Sequence, residues 1–192
     1  MIIYDNIINF YKEYIKLEQI IRKGWIMRNI PVDRLESVAD HTLQLLMLAS
    51  IITKELNINL DLTRLMEMLL IHDLGEIIIG DISEIEEGHD SKREKEEYAI
   101  KTILNNLSKE NSAYYYDLYL EMEDQKTELA KFAYLLDKID AVIKAEHYEK
   151  ECNMNGLFNE FFTFQDKKGI FKNSILEEFF NFLNEKYNNS IN

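Results

Sequence analysis

An all-α fold is what this sequence predicts, and three observations carry it. Breakers are scarce: 192 residues hold one proline and six glycines, too few for a turn-rich β sandwich. Apolar residues recur at intervals of three and four through nearly every segment, which is the spacing of one helical face. Serine or aspartate stands ahead of several of these runs, where its oxygen can cap a helix N-terminus. With 46% hydrophobic and 30% charged residues, the chain reads as globular. Its length suits one domain with a full core, residues 1–192, better than two.

The elements follow in order. Ile3, Ile7, Phe10, Tyr14, Leu17 and Ile21 share a face, so residues 3–22 read as an amphipathic helix closed by Gly24. The connector WIMRNIPVDRLES contains the proline. Ser37 is placed to cap a helix reaching about Leu56, with Leu45, Leu48, Ala49 and Ile52 on its face. Asp61 caps the next, LTRLMEMLLIHD, which is apolar on most sides near its end, as a central helix is. LGEIIIGDISEIEEGHD, with Gly75, Gly80 and Gly88, reads as loop or short helix, after which Ser91 caps KREKEEYAIKTILNNL. Helices at about 112–124, 127–150 and 174–188 complete the set, and the asparagine-rich tail from Asn188 is expected to fray.

Charge and cysteine usage narrow the function. A net charge of −13 repels nucleic-acid polymers, yet a metal and a few local cations can still admit a small phosphorylated substrate. Cys152 is the only cysteine, so neither an intrachain disulfide nor a thiolate metal cluster is available. Asp5, Lys12 and Glu13 interrupt any signal-peptide core, and no run reaches the ~18 apolar residues of a membrane span. A cytoplasmic protein without membrane partners is the expectation.

The chemistry sits in four residues on apolar, helix-patterned stretches: His41, the pair His72-Asp73, and Asp137, which lines up with Ala130, Ala133 and Tyr134. Brought together, two imidazoles and two carboxylates make a divalent metal site, with Mn²⁺, Co²⁺, Fe²⁺, Zn²⁺ and Mg²⁺ all admissible. Taken singly, each has a plainer explanation: a hydrogen-bonded core histidine, or a surface carboxylate. His89-Asp90 lies in a polar stretch beside a cap and reads as loop; His147 belongs to a charged helix end, and Cys152 is incidental.

These residues, with the words GWIMRNI, ESVADHT, HDLGEIIIGDI and LLDKIDAVIKAEHYE around them, resemble the HD-domain metal-dependent phosphohydrolases, in particular their 5′-deoxynucleotidase branch. The similarity runs in order over about residues 7–187. It implies a helical HD domain, usually homodimeric, that removes the 5′-phosphate from nucleoside 5′-monophosphates, with deoxy substrates preferred. His41, His72, Asp73 and Asp137 would then hold the divalent ion, and Glu76 would be the catalytic base. Asp81 and the Ile82 carbonyl would serve the sugar or a further metal, and Trp25 and Arg28 the substrate. Some relatives carry an arginine directly before the tryptophan, where this chain has Gly24, so Arg22, Lys23, Lys92 and Arg93 are the other cations to weigh. Two alternatives remain open: another HD-class hydrolase acting on nucleoside triphosphates or phosphodiesters, and a non-catalytic helical dimer that uses the ion as a staple.

Overall fold

The computed structural model describes residues 2–82 and 89–191. They are helical with no strand, in keeping with the all-α expectation. We number the α-helices in chain order as α1 Ile2–Tyr14, α2 Lys23–Ile26, α3 Val38–Glu55, α4 Leu62–Ile71, α5 Glu76–Ile79, α6 His89–Leu104, α7 Lys109–Asp124, α8 Glu128–Glu151, α9 Leu157–Lys168 and α10 Glu177–Ile191. The chain forms two compact units, Met1–Ala130 and Lys131–Asn192.

In the first unit, α3 packs on α4, α4 on α7, and α6 on both α5 and α7. Leu45, Ala49, Leu65, Met68, Leu69, Ile100, Leu104 and Leu118 are fully buried. The expected first helix ends early: α1 stops at Tyr14 and a 3-10 turn covers Ile15–Gln19. Of the predicted face only Leu17 is buried, while Ile3 and Ile7 are exposed. Residues beyond the turn do different work. Ile21 forms an antiparallel bridge with Ser37, and Val38 N donates to Ile20 O at 2.8 Å. This clip ties Arg22 to the start of α3.

The caps at Ser37 and Asp61 form as expected. Ser37 Oγ accepts from Asp40 N at 3.1 Å while Asp40 Oδ2 accepts from Ser37 N at 2.9 Å, a reciprocal capping box. Asp61 Oδ1 accepts from Arg64 N at 3.0 Å. The expected Ser91 cap is not how α6 begins, because His89 and Asp90 are already helical. The preceding residues 83–88, Gly88 included, lie outside the described part.

In the second unit, stacked rings form the core: Phe158 on Tyr187 at 4.0 Å, Phe162 on Phe180 at 4.3 Å and Phe171 on Phe180 at 4.0 Å. Glu149 is buried among them at 8% exposure. It accepts from Phe158 N at 2.8 Å, in the first turn of α9, and from the Tyr187 hydroxyl. Burial pushes its carboxyl up, but the Tyr187 and backbone hydrogen bonds more than reverse this and hold it below the usual range. A group held low stabilises the fold above its unfolded pKa and loses that contribution as pH falls through the folded value. Glu149→Gln is therefore expected to cost about 1.5–3 kcal/mol at neutral pH, the worth of hydrogen bonds to a charged group. Thermal melts at pH 7 and at pH 3–4 check this: the gap between variant and wild type narrows in acid.

Candidate metal centre

The site is assembled at two helix ends of the first unit. The Ser37–Asp40 box fixes where α3 begins, so His41 falls one turn in, and it is 1% exposed. At the other end, α4 closes on His72, whose Nδ1 donates to Leu69 O at 2.8 Å. That carbonyl is among those a helix C-terminus leaves without an intrahelical partner. One interaction thus satisfies the backbone and locks the ring. Asp73 follows directly.

The ligand atoms of His41, His72 and Asp73 all lie within 4.8 Å of one another. Asp73 Oδ2 is 3.7 Å from His41 Nε2 and 3.1 Å from His72 Nε2. The rings stand 5.4 Å apart at 60°. Because Leu69 O can only accept, the His72 proton sits on Nδ1, and a neutral ring then turns the Nε2 lone pair toward a carboxylate oxygen. Two lone pairs at that distance repel unless a cation lies between them. Two neutral imidazoles and one carboxylate are a donor set that fits a divalent ion.

Asp73 stays ionised. Burial pushes its carboxyl up, but His72 and His41 in the protonated form they take without metal, together with Arg22, outweigh that and hold it well below the usual carboxylate range. Arg22 Nη1 donates to Asp73 Oδ2 at 3.0 Å, placed there by the clip of residues 20–22 onto 36–38. Glu76 opens α5, its backbone N donating to Asp73 O at 3.1 Å, and it is 3% exposed. Burial first, then the charges of Asp73 and Asp81, push its carboxyl well above the usual value, with Arg22 and Lys92 pulling against them. Gly80 ends α5 at φ +76° and ψ 171°, a backbone region in effect open only to glycine. The chain is thereby redirected so that Asp81 Oδ2 accepts from Lys23 N at 2.6 Å, in the first turn of α2.

A family model for the HD domain matches residues 15–180. The chain belongs to the HD domain family. Two relatives are named 5′-deoxynucleotidase HDDC2. The Bos taurus protein is 32% identical over 158 residues, spanning 82% of this chain and 75% of that one. The Danio rerio protein is 34% identical over 169 residues, spanning 85% and 80%. Among solved structures, a predicted metal-dependent phosphohydrolase from Magnetospirillum magnetotacticum superposes with a TM-score of 0.64 at 25% identity, covering 85% of each chain. Among the described residues of this HD-family chain, no helix is long and apolar enough to cross a membrane.

The other sequence candidates fall at various places in the HD chain. Trp25 is 3% exposed, and its indole N–H donates to Glu36 Oε1 at 2.7 Å, which anchors it in the first unit. Arg28 Nη1 donates to Gly24 O at 2.8 Å. Ile82 follows Asp81, half-buried. Asp137 belongs to the second unit, half-buried, with Oδ2 accepting from Lys138 Nζ at 2.6 Å. His147 is exposed and pairs with Glu151 at 3.2 Å, as a charged helix end should. Arg93 pairs with Glu97 and Asp124, whereas Lys92 pairs with Glu96 and its charge acts on Glu76. Periodicity could not separate Lys92 from Arg93, because both belong to a strongly charged helix. Gly75, standing between two acids, was the local sign that another helix comes close.

Proposed function

We propose that this protein hydrolyses (deoxy)nucleoside 5′-monophosphates to nucleoside and inorganic phosphate. The convergence of His41, His72 and Asp73, with Glu76 one turn beyond the carboxylate, carries this reading. The names of its relatives support this substrate class. The fourth ligand of the proposal is Asp137, supplied by the sequence resemblance. A divalent ion, when bound, polarises a phosphoryl oxygen and acidifies water in its shell.

The protein groups divide the remaining work. Glu76 takes a proton from the attacking water; its raised pKa makes it a stronger base than an ordinary carboxylate. Phosphorus is attacked in line with the departing 5′-oxygen, which leaves with the deoxyribose and takes up a proton to become the nucleoside hydroxyl, the proton on Glu76 being given up in turn to the leaving oxygen or to solvent. Asp81, which follows Gly80, is assigned to the sugar side on the sequence resemblance, with Ile82, Trp25 and Arg28 completing the substrate wall. The HD chain is expected to act as a homodimer in the cytoplasm.

The test is phosphate release from a panel of mono-, tri- and cyclic nucleotides after chelation and reloading with single metals. Chelated protein should release no phosphate, and reloading should restore turnover of deoxynucleoside monophosphates above all others. Preference for triphosphates or cyclic nucleotides would replace this reading with another hydrolase of the family. Metal uptake without turnover of any nucleotide would leave a structural ion.

A further inference from the structure

Gly75 lies between the ligand Asp73 and the base Glu76. A Cβ built on it would stand 3.4 Å from Glu96 O and 3.5 Å from Glu96 Cα, so this turn rests on the backbone of α6. Lys92 is one helical turn before Glu96, on the same face, with Nζ 3.3 Å from Glu96 Oε1. The two side chains are only 23% and 16% exposed, whereas Lys101, further along α6, is 54% exposed. An exposed i,i+4 pair would need no further explanation. This one is drawn in beside the reacting groups, and the Lys92 charge acts on Glu76 and Glu123 as well as on Glu96.

We propose that Lys92 is a phosphate-gripping residue: Glu96 holds its ammonium beside Glu76, where it meets non-bridging oxygens of the substrate phosphate. The inference rests on the phosphohydrolase reading and adds a second cation to it. Arg22 is already bonded to Asp73 and comes from the clip before α3, whereas Lys92 comes from α6, on the side where Gly75 faces the Glu96 backbone. A phosphate monoester brings a dianion into a site that already holds Asp73, Glu76, Glu96 and Glu123. Charge in the transition state spreads over three equatorial oxygens, and fixed cations stabilise it there. A lysine suits this task because its ammonium is a compact point charge with three donors that needs no planar match. Glu96 supplies aim: without it, a four-carbon stem would sample many rotamers.

The experiment uses the metal-loaded full chain and inorganic phosphate as the probe. Calorimetric titration of phosphate is compared for wild type, Lys92→Met, Lys92→Gln and Lys92→Arg, alongside steady-state kinetics and inhibition by the product deoxynucleoside. Loss of a charge-assisted hydrogen bond should weaken phosphate by about tenfold or more in Lys92→Met and Lys92→Gln. KM should rise with it and kcat fall. Metal content and deoxynucleoside inhibition should stay at wild-type values, and Lys92→Arg should recover most of the phosphate affinity. Phosphate binding within twofold of wild type in both neutral variants would overturn the proposal. So would a parallel loss of phosphate, nucleoside and metal, which is what a structural role predicts. Because phosphate binding is read without turnover, failure of the substrate assignment would show separately, as a wild type that binds phosphate yet releases none from deoxynucleotides.

Discussion

Asp73→Ala is expected to abolish divalent-metal binding and phosphate release while leaving the helical circular-dichroism signal in place. Asp73 is the negative member of the triad, with Oδ2 facing the Nε2 atoms of His41 and His72 at 3.7 and 3.1 Å. Without it, the triad offers a dication only two imidazoles. Loss of a group that merely orients a ligand costs roughly 10–100-fold in affinity, and loss of the ligand itself should exceed that. The fold has its own stake in Asp73, because Arg22 loses a partner at 3.0 Å. With Arg22 and Asp73 about one-fifth exposed, that stability cost should stay within about 1–3 kcal/mol. Metal titration and a thermal melt separate the two effects. Affinity equal to wild type in the variant would remove Asp73 from the centre.

How much of this was legible in the sequence depended on range. Helices with regular apolar spacing and a Ser or Asp ahead of them could be read directly, and the box at Ser37 and the cap at Asp61 are where local chemistry put them. The His72-Asp73 pair stood out at the end of an apolar run, whereas Glu76 was singled out only by the family resemblance, since alone it reads as an ordinary acid at a helix end. Helix α9 was missed. LFNEFFTFQDKK does carry apolar residues at helical spacing, Leu157, Phe158, Phe161, Phe162 and Phe164, and is bracketed by Gly156 and Gly169, at φ +88° and +65°. The tail expected to fray from Asn188 is instead helical to Ile191. Local propensity lost there to packing: Leu183 and Tyr187 are buried, and the Tyr187 hydroxyl is bound to Glu149, 38 residues earlier. The cations of the site were obscure for a similar reason. Arg22 reaches Asp73 only because residues 20–22 are clipped to 36–38, and Lys92 reaches the site only because α6 lies against Gly75. Neither contact has a signature in linear spacing.

Glu76→Gln should separate binding from chemistry. The substitution keeps the shape of a side chain that is 3% exposed and removes its ability to accept a proton. Metal affinity should stay close to wild type, since the convergent ligand atoms belong to His41, His72 and Asp73. Turnover should fall by about 10²–10⁴-fold, the usual worth of a positioned general base. The pH profile gives an independent reading. Burial together with the Asp73 and Asp81 charges raises the Glu76 carboxyl, so the base is protonated, and idle, at pH values where an ordinary carboxylate is ionised. The acidic limb of kcat/KM in the wild type should therefore lie above the ~4.3 of an unperturbed glutamate, with activity rising as pH increases through it. Lys92→Met removes one of the two cations that pull Glu76 down, so it should move that limb to higher pH. A Glu76→Gln protein that turns over deoxynucleoside monophosphates at the wild-type rate would assign the base elsewhere. A wild-type profile flat from pH 5 to 8 would deny that any raised carboxylate gates the reaction.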